Sequence, residues 1–168
     1  VKVELRDTGD LKAVVRALRQ QADGKQLRRE LGQGLREILR PFVPKVQAAY
    51  RAAPSKGRRK SRSRARLPDL RQLLAKATRV EVRTSGKLAG ARIRVDGRKM
   101  PSGFRALPHY HEGTRPRWRH PTFGDREVWV GQESHPTFYR TVQPNETAAR
   151  AEVERVVGRI FEKIERAR

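Results

Sequence analysis

Two short runs with a period of two constrain this chain more than any other feature. In Arg79-Val80-Glu81-Val82-Arg83 the valines face one way and the charges the other. In Ala91-Arg92-Ile93-Arg94-Val95-Asp96 the apolar residues again take every second place. A half-buried strand requires this alternation, because successive side chains leave opposite faces of the pleat. The polar, glycine-containing stretch 84–90 between them reads as a hairpin connection and not a crossover. Glu127-Val128-Trp129-Val130, closed by Gly131, is a third strand candidate. Its apolar content predicts a better-covered place than the first two, with Trp129 in the core. Val1, Val3 and Leu5 alternate with Lys2 and Glu4 and offer a short edge strand.

Helical periodicity flanks these strands on both sides. Leu11, Val14, Val15 and Leu18 form one apolar stripe, with cap oxygens available in residues 7–10. Leu27, Leu31, Leu35, Ile38 and Leu39 form a second stripe. Pro41 and Pro44 interrupt it, yet Val46 and Tyr50 continue the pattern, so one long kinked helix is predicted over residues 25–53. Gly32 and Gly34 each cost this helix about 1 kcal/mol unless a neighbour packs close there. Pro68 suits a helix start, and Leu70, Leu73, Leu74 and Ala77 predict a short helix leading into the first strand. Residues 107–113 read as a single helical turn with Pro108 in front and Gly113 behind, and residues 114–126 as an irregular basic loop. Ser134 is the expected cap of a helix carrying Phe138, Tyr139 and Val142. Val153, Val156, Val157, Ile160, Phe161 and Ile164 stripe a long C-terminal helix. Together these predict a single α+β domain over residues 1–168. A small antiparallel sheet of three to four strands is packed by long N- and C-terminal helices, and a basic loop occupies 54–66.

Composition decides what such a domain can do. The net charge is +22 over 168 residues, with 36% hydrophobic and 35% charged residues. Self-repulsion of that size favours polyanionic or acidic partners over a lone compact monomer. The chain has no cysteine, which excludes disulfides and thiolate metal sites. It has no apolar run long enough to span a bilayer, so no membrane role and synthesis and folding in a cytosol are expected.

Enzymatic readings find little support. His109, His111, Glu112 and His120 invite a metal, but positions two apart on a helix do not share a face, and no His-Glu-x-x-His arrangement occurs. Ser102 and Ser134 lie near histidines without a Gly-x-Ser-x-Gly elbow. The scattered carboxylates Glu112, Asp125, Glu127 and Glu133 form no evident divalent-metal cluster. No catalytic residue, metal or cofactor is expected.

The charge itself carries the signal. Lys56, Arg58, Arg59, Lys60, Arg62, Arg64 and Arg66 are separated mostly by Ser, Gly and Ala, with no acidic residue nearby. Nothing in that stretch can be buried, so it reads as an extended loop that contacts phosphates without reading sequence. Trp118 and Trp129 could stack on bases. Core packing for Trp129 and a loop or subunit contact for Trp118 fit better.

The order of elements and several short motifs resemble a known family. The motifs are residues 79–84, 92–96 and Ala106-Leu107-Pro108-His109-Tyr110-His111-Glu112-Gly113, then Trp118-Arg119-His120-Pro121-Thr122-Phe123-Gly124 and His135-Pro136-Thr137-Phe138-Tyr139. In this order they resemble the neck, or head-tail joining, proteins of long-tailed bacteriophages, small morphogenesis proteins also called tail completion or minor tail proteins. The resemblance implies a non-enzymatic virion component at the head-tail junction. It would form a ring of six or twelve copies between the head connector or stopper and the tail tube or tail terminator, around the channel for packaged double-stranded DNA. Tyr110, Trp118, Phe123, Phe138 and Tyr139 are then candidate subunit contacts. The 54–66 stretch lies outside the resemblance, so its DNA-facing role rests on charge alone. The alternative is a free, sequence-independent nucleic-acid-binding protein.

Overall fold

The computed structural model describes residues 2–5, 10–20, 23–54, 69–85, 89–113, 117–122 and 125–166. In chain order the elements are β1 (Lys2–Leu5), α1 (Asp10–Ala17), α2 (Gly24–Leu39), α3 (Phe42–Ala52), α4 (Leu70–Ala77), β2 (Thr78–Arg83) and β3 (Gly90–Val95). A 3-10 turn (Gly97–Lys99), α5 (Leu107–His111), β4 (Arg117–Thr122), β5 (Asp125–Glu133), α6 (Thr137–Val142), a second 3-10 turn (Gln143–Asn145) and α7 (Glu146–Arg166) follow. The fold is α+β, with long helices at both ends of the chain and small antiparallel sheets. Where one domain was expected over 1–168, the chain divides into two compact units, each assembled from separated stretches. One comprises residues 1, 45–78 and 95–141; the other comprises 2–44, 79–94 and 142–168.

The second unit is a layer of helices and sheet. Its sheet has the order β1-β3-β2, with β1 antiparallel to β3 and Val3 opposite Ile93. The predicted alternation is realised in β3, where Ala91 and Ile93 are buried and Arg92 and Arg94 half-buried. In β2 it is blunted: Val80 and Val82, on the face that the alternation would bury, are only half-buried. The reason is position, since β2 is an edge strand with a neighbour on one side only. Val14, Val15 and Leu18, then Leu27, Leu31, Leu35 and Leu39, then Val153, Val156, Val157, Ile160 and Ile164 are buried as the stripes predict, while Phe161 is exposed. Gly34 explains how α2 and α7 meet. A Cβ there would lie 2.9 Å from Cγ1 of Val156, so the glycine that weakens the isolated helix permits the close approach.

The single kinked helix expected over 25–53 is two helices, α2 and α3, parted at Arg40 and Pro41. Arg40 still donates its N–H to the Arg36 carbonyl at 2.9 Å, and Val43 reaches back only to Arg40 at 3.2 Å. Pro41 supplies no donor at the break, and Pro44 falls in the first turn of α3, where a missing N–H costs nothing.

The first unit departs further from expectation. α4 runs directly into β2, and its cap is Asp69, whose side chain accepts from the Arg71 N–H at 3.0 Å. Pro68 lies outside the described residues. The stretch 114–126, expected to be irregular, contains β4, which pairs with β5 in a separate two-stranded ribbon. β5 therefore does not extend the 79–96 hairpin; β1 supplies the third strand there. The register sets Trp118 opposite Gln132 and Pro121 opposite Trp129. Positions 118 and 121 differ in parity, so the two tryptophans leave opposite faces of the ribbon. Trp129 is accordingly 50% exposed, correcting its placement in the core. No described helix is long and apolar enough to cross a membrane.

Candidate nucleic-acid interface

The seven cations of the basic stretch, Lys56, Arg58, Arg59, Lys60, Arg62, Arg64 and Arg66, lie outside the described residues, as does Phe123. The other candidate contacts separate into two kinds. Tyr110 and Trp118 are half-buried and stacked on one another, centroids 5.4 Å apart and planes 14° from parallel. Tyr139 is 40% exposed and keeps a surface to offer, whereas Phe138 is fully buried within its own chain and has none.

The backbone N–H groups of Phe138 and Tyr139 both join a polar knot around the buried Glu112 carboxylate. α5 starts on Pro108 and ends at Gly113, whose φ of +92° only glycine adopts without strain, and this brief turn aims the Glu112 carboxylate inward. Glu112 Oε1 accepts from the Tyr50 hydroxyl at 3.0 Å and from the Phe138 N–H at 3.0 Å. Oε2 accepts from the Phe138 N–H at 2.9 Å and the Tyr139 N–H at 3.3 Å. Those N–H groups open α6 and have no partner within the helix. Glu112 thus caps α6 through the N–H of Phe138, 26 residues further on, where Ser134 was expected to serve. The His135 N–H donates to the His111 carbonyl at 2.8 Å and zips the same two segments together. Burial first, and then the facing carboxylate, push the Tyr50 phenol far above its usual range, so it remains a donor at any working pH.

The histidines divide rather than converge. His109 is exposed and His111 buried, so the pair two apart does not share a face. His111 Nδ1 stands 3.4 Å from Glu112 Oε1, its ring edge-on to Tyr50 at 5.3 Å and 6.3 Å from His135. The His120 side chain lies outside the described residues. Among the described residues no three His, Asp or Glu side chains gather as metal ligands.

Two charged arrangements sit in the other unit. Glu81 of β2 accepts from Arg83 at 3.0 Å, Arg92 at 3.2 Å and Arg94 at 2.8 Å, one carboxylate among three guanidiniums. Partial burial pushes its carboxyl up, but the bonds from Arg94, Arg92 and Arg83 outweigh that and hold its pKa at about 2. The second arrangement, missed in the sequence, is the outer face of α2 and its C-cap, Arg40, which keeps a helical backbone; Lys25, Arg29, Arg36 and Arg40 are all exposed there. Its signal is a spacing of four, seven and four residues, the helical period written in cations. Comparison with protein-family models, with curated proteins and with solved structures returned no match.

Proposed function

We propose that this chain is a structural subunit of the head-tail junction of a long-tailed bacteriophage. It closes a ring of six or twelve copies between the head connector or stopper and the tail tube or terminator, and meets packaged DNA through backbone charge. The observation that carries this reading is how the motif residues are spent. The buried Glu112 carboxylate and the backbone N–H groups of Phe138 and Tyr139, all within motifs of the resemblance, meet in one hydrogen-bonded knot. They hold the fold, which leaves the +22 charge as the feature directed outward. A strongly cationic chain suits a channel wall that neutralises phosphates without gripping bases.

Native mass spectrometry and negative-stain imaging of neck and tail assemblies test this. The expected result is closed rings of the chain at the junction. Replacing Arg58, Arg59, Lys60 and Arg62 with serine should leave those rings intact and impair DNA retention. A monomer or dimer that binds duplex DNA and never enters the virion would overturn the neck reading in favour of a free nucleic-acid-binding protein.

A further inference from the structure

We infer that the outer face of α2 is a preformed contact for the phosphate backbone of duplex DNA, separate from the 54–66 stretch. The inference rests on the DNA-contacting role proposed above and names a structured surface for it. Successive residues of an α-helix turn by about 100°, so positions 25, 29, 36 and 40 fall within an arc of roughly 60° over a length of about 22 Å. All four side chains are exposed, and none forms an ion pair among the described residues. The helix's two acids leave the arc clear. Glu30 and Glu37 lie roughly 90–110° around the axis. Glu30 accepts from Lys163 at 2.6 Å, and Glu37 accepts from the Gln33 amide at 3.0 Å. The face is therefore of a single sign along its whole length.

The chemistry of that arc selects its partner. Apart from the four cations it holds only Gly32 and Gln33 at its margins, with no aromatic or aliphatic side chain exposed between them. A protein partner wants a dry apolar centre, a membrane surface wants an inserting apolar face, and single strands want a stacking ring. The stripe supplies none of these. A charged rod of fixed geometry complements a polyanion whose charge is regular and whose bases are hidden, which describes duplex backbone. Because the cations stand on a helix anchored by Leu27, Leu31, Leu35 and Leu39, little backbone order is lost on contact.

The test compares full-length chains binding a mixed-sequence DNA duplex across about 50 to 200 mM salt, the range in which counterion release is steepest. One variant carries Lys25→Gln, Arg29→Gln, Arg36→Gln and Arg40→Gln. A second carries the four serine substitutions in the 54–66 stretch, and a third has lysine at 29, 36 and 40. Circular dichroism establishes that each is folded. If all four stripe cations meet phosphates, the glutamine variant should lose about 3.6 from the slope of log affinity on log salt, roughly a hundredfold in salt sensitivity over that range. The lysine variant should keep the wild-type slope, since point charge suffices. A glutamine variant with an unchanged slope, beside a serine variant whose slope falls, overturns the stripe and leaves the DNA role standing. A wild-type chain that does not bind duplex overturns both. Glutamine substitutions that spare the duplex slope but abolish binding to polyglutamate would assign the face to an acidic protein and overturn the inference.

Discussion

The two compact units of this chain both bury apolar side chains, but among the described residues only one buries a carboxylate among them. In one, α1, α2, α7 and the β1-β3-β2 sheet bury aliphatic side chains and leave the charges outside. In the other, a single carboxylate, Glu112, sits 2% exposed and organises Tyr50 and the start of α6 around itself. An apolar layer loses stability in proportion to the volume removed and tolerates change of shape. A buried polar hub fails as a whole, because each partner left behind stays desolvated without its acceptor. The motif stretches 106–113, 118–124 and 135–139 lie in the unit that holds this carboxylate, and Glu112, beside the histidines that invited a metal, serves there as a helix cap.

The largest expected effect breaks the hub. Glu112→Leu strands the Tyr50 hydroxyl and the Phe138 and Tyr139 N–H groups at about 1–3 kcal/mol each, so a loss of about 4 kcal/mol or more is expected in urea denaturation. Glu112→Gln keeps one acceptor and should fall between that and wild type. Hydrogen exchange should show protection vanishing first at Phe138 and Tyr139. If Glu112→Leu costs less than truncation of one aliphatic core residue, the contrast between the units collapses.

The apolar layer should respond more gently. Ile93→Ala removes a side chain that is 1% exposed and should cost about 2–4 kcal/mol. Gly34→Ala sharpens the comparison by adding volume instead. Its new methyl would meet Val156 at 2.9 Å, an overpacking cost of about 1–3 kcal/mol set against a helix gain of about 1. Adding Val156→Ala should then recover part of the loss, and non-additivity in that double variant locates the contact. Additive effects would mean the helices do not meet at Gly34.

What was legible in the sequence was local. The alternation in β3, the stripes of α1, α2 and α7, and the proline-to-glycine turn of α5 each depend on residues a few positions apart. Pairing was not legible, because a period of two says which face a residue takes and nothing about which strand lies beside it. Hence β5 was assigned to the hairpin's sheet, which β1 completes, and Trp129 to the core. The Glu112 cap was illegible for the same reason: the N–H of Phe138 that it accepts lies 26 residues away, and Ser134 offered a nearer oxygen. Of the candidate interface, the cation density of 54–66 was plain. The α2 stripe was readable too, but it lies between the leucines that announced the helix and is seen only when the polar face is indexed with the same period.

The smallest effect concerns acid, and it sets a charged surface of the apolar unit against the hub. Glu81 ionises with a pKa of about 2, below its ordinary 4.5, because Arg94, Arg92 and Arg83 favour the carboxylate. A group whose pKa is lower in the folded than in the unfolded chain stabilises the fold above the unfolded value. That contribution fades as pH falls from about 4.5 toward about 2. Its size is modest, about 1 kcal/mol or less, since three guanidiniums share one carboxylate and solvent reaches the cluster. Glu81→Gln should therefore lower stability slightly at neutral pH and flatten the stability curve between pH 4.5 and about 2. Below that window the variant and wild type should converge. A Glu81→Gln curve that falls just as steeply as the wild-type one would move the acid sensitivity elsewhere, to Asp69, whose carboxyl its bonds to Arg71 also hold low against burial. The double variant with Asp69→Asn, measured by thermal unfolding at each pH, decides between the two. Asp69 lies in the unit that holds the hub and Glu81 in the layered one, so the answer also says which unit yields first to acid.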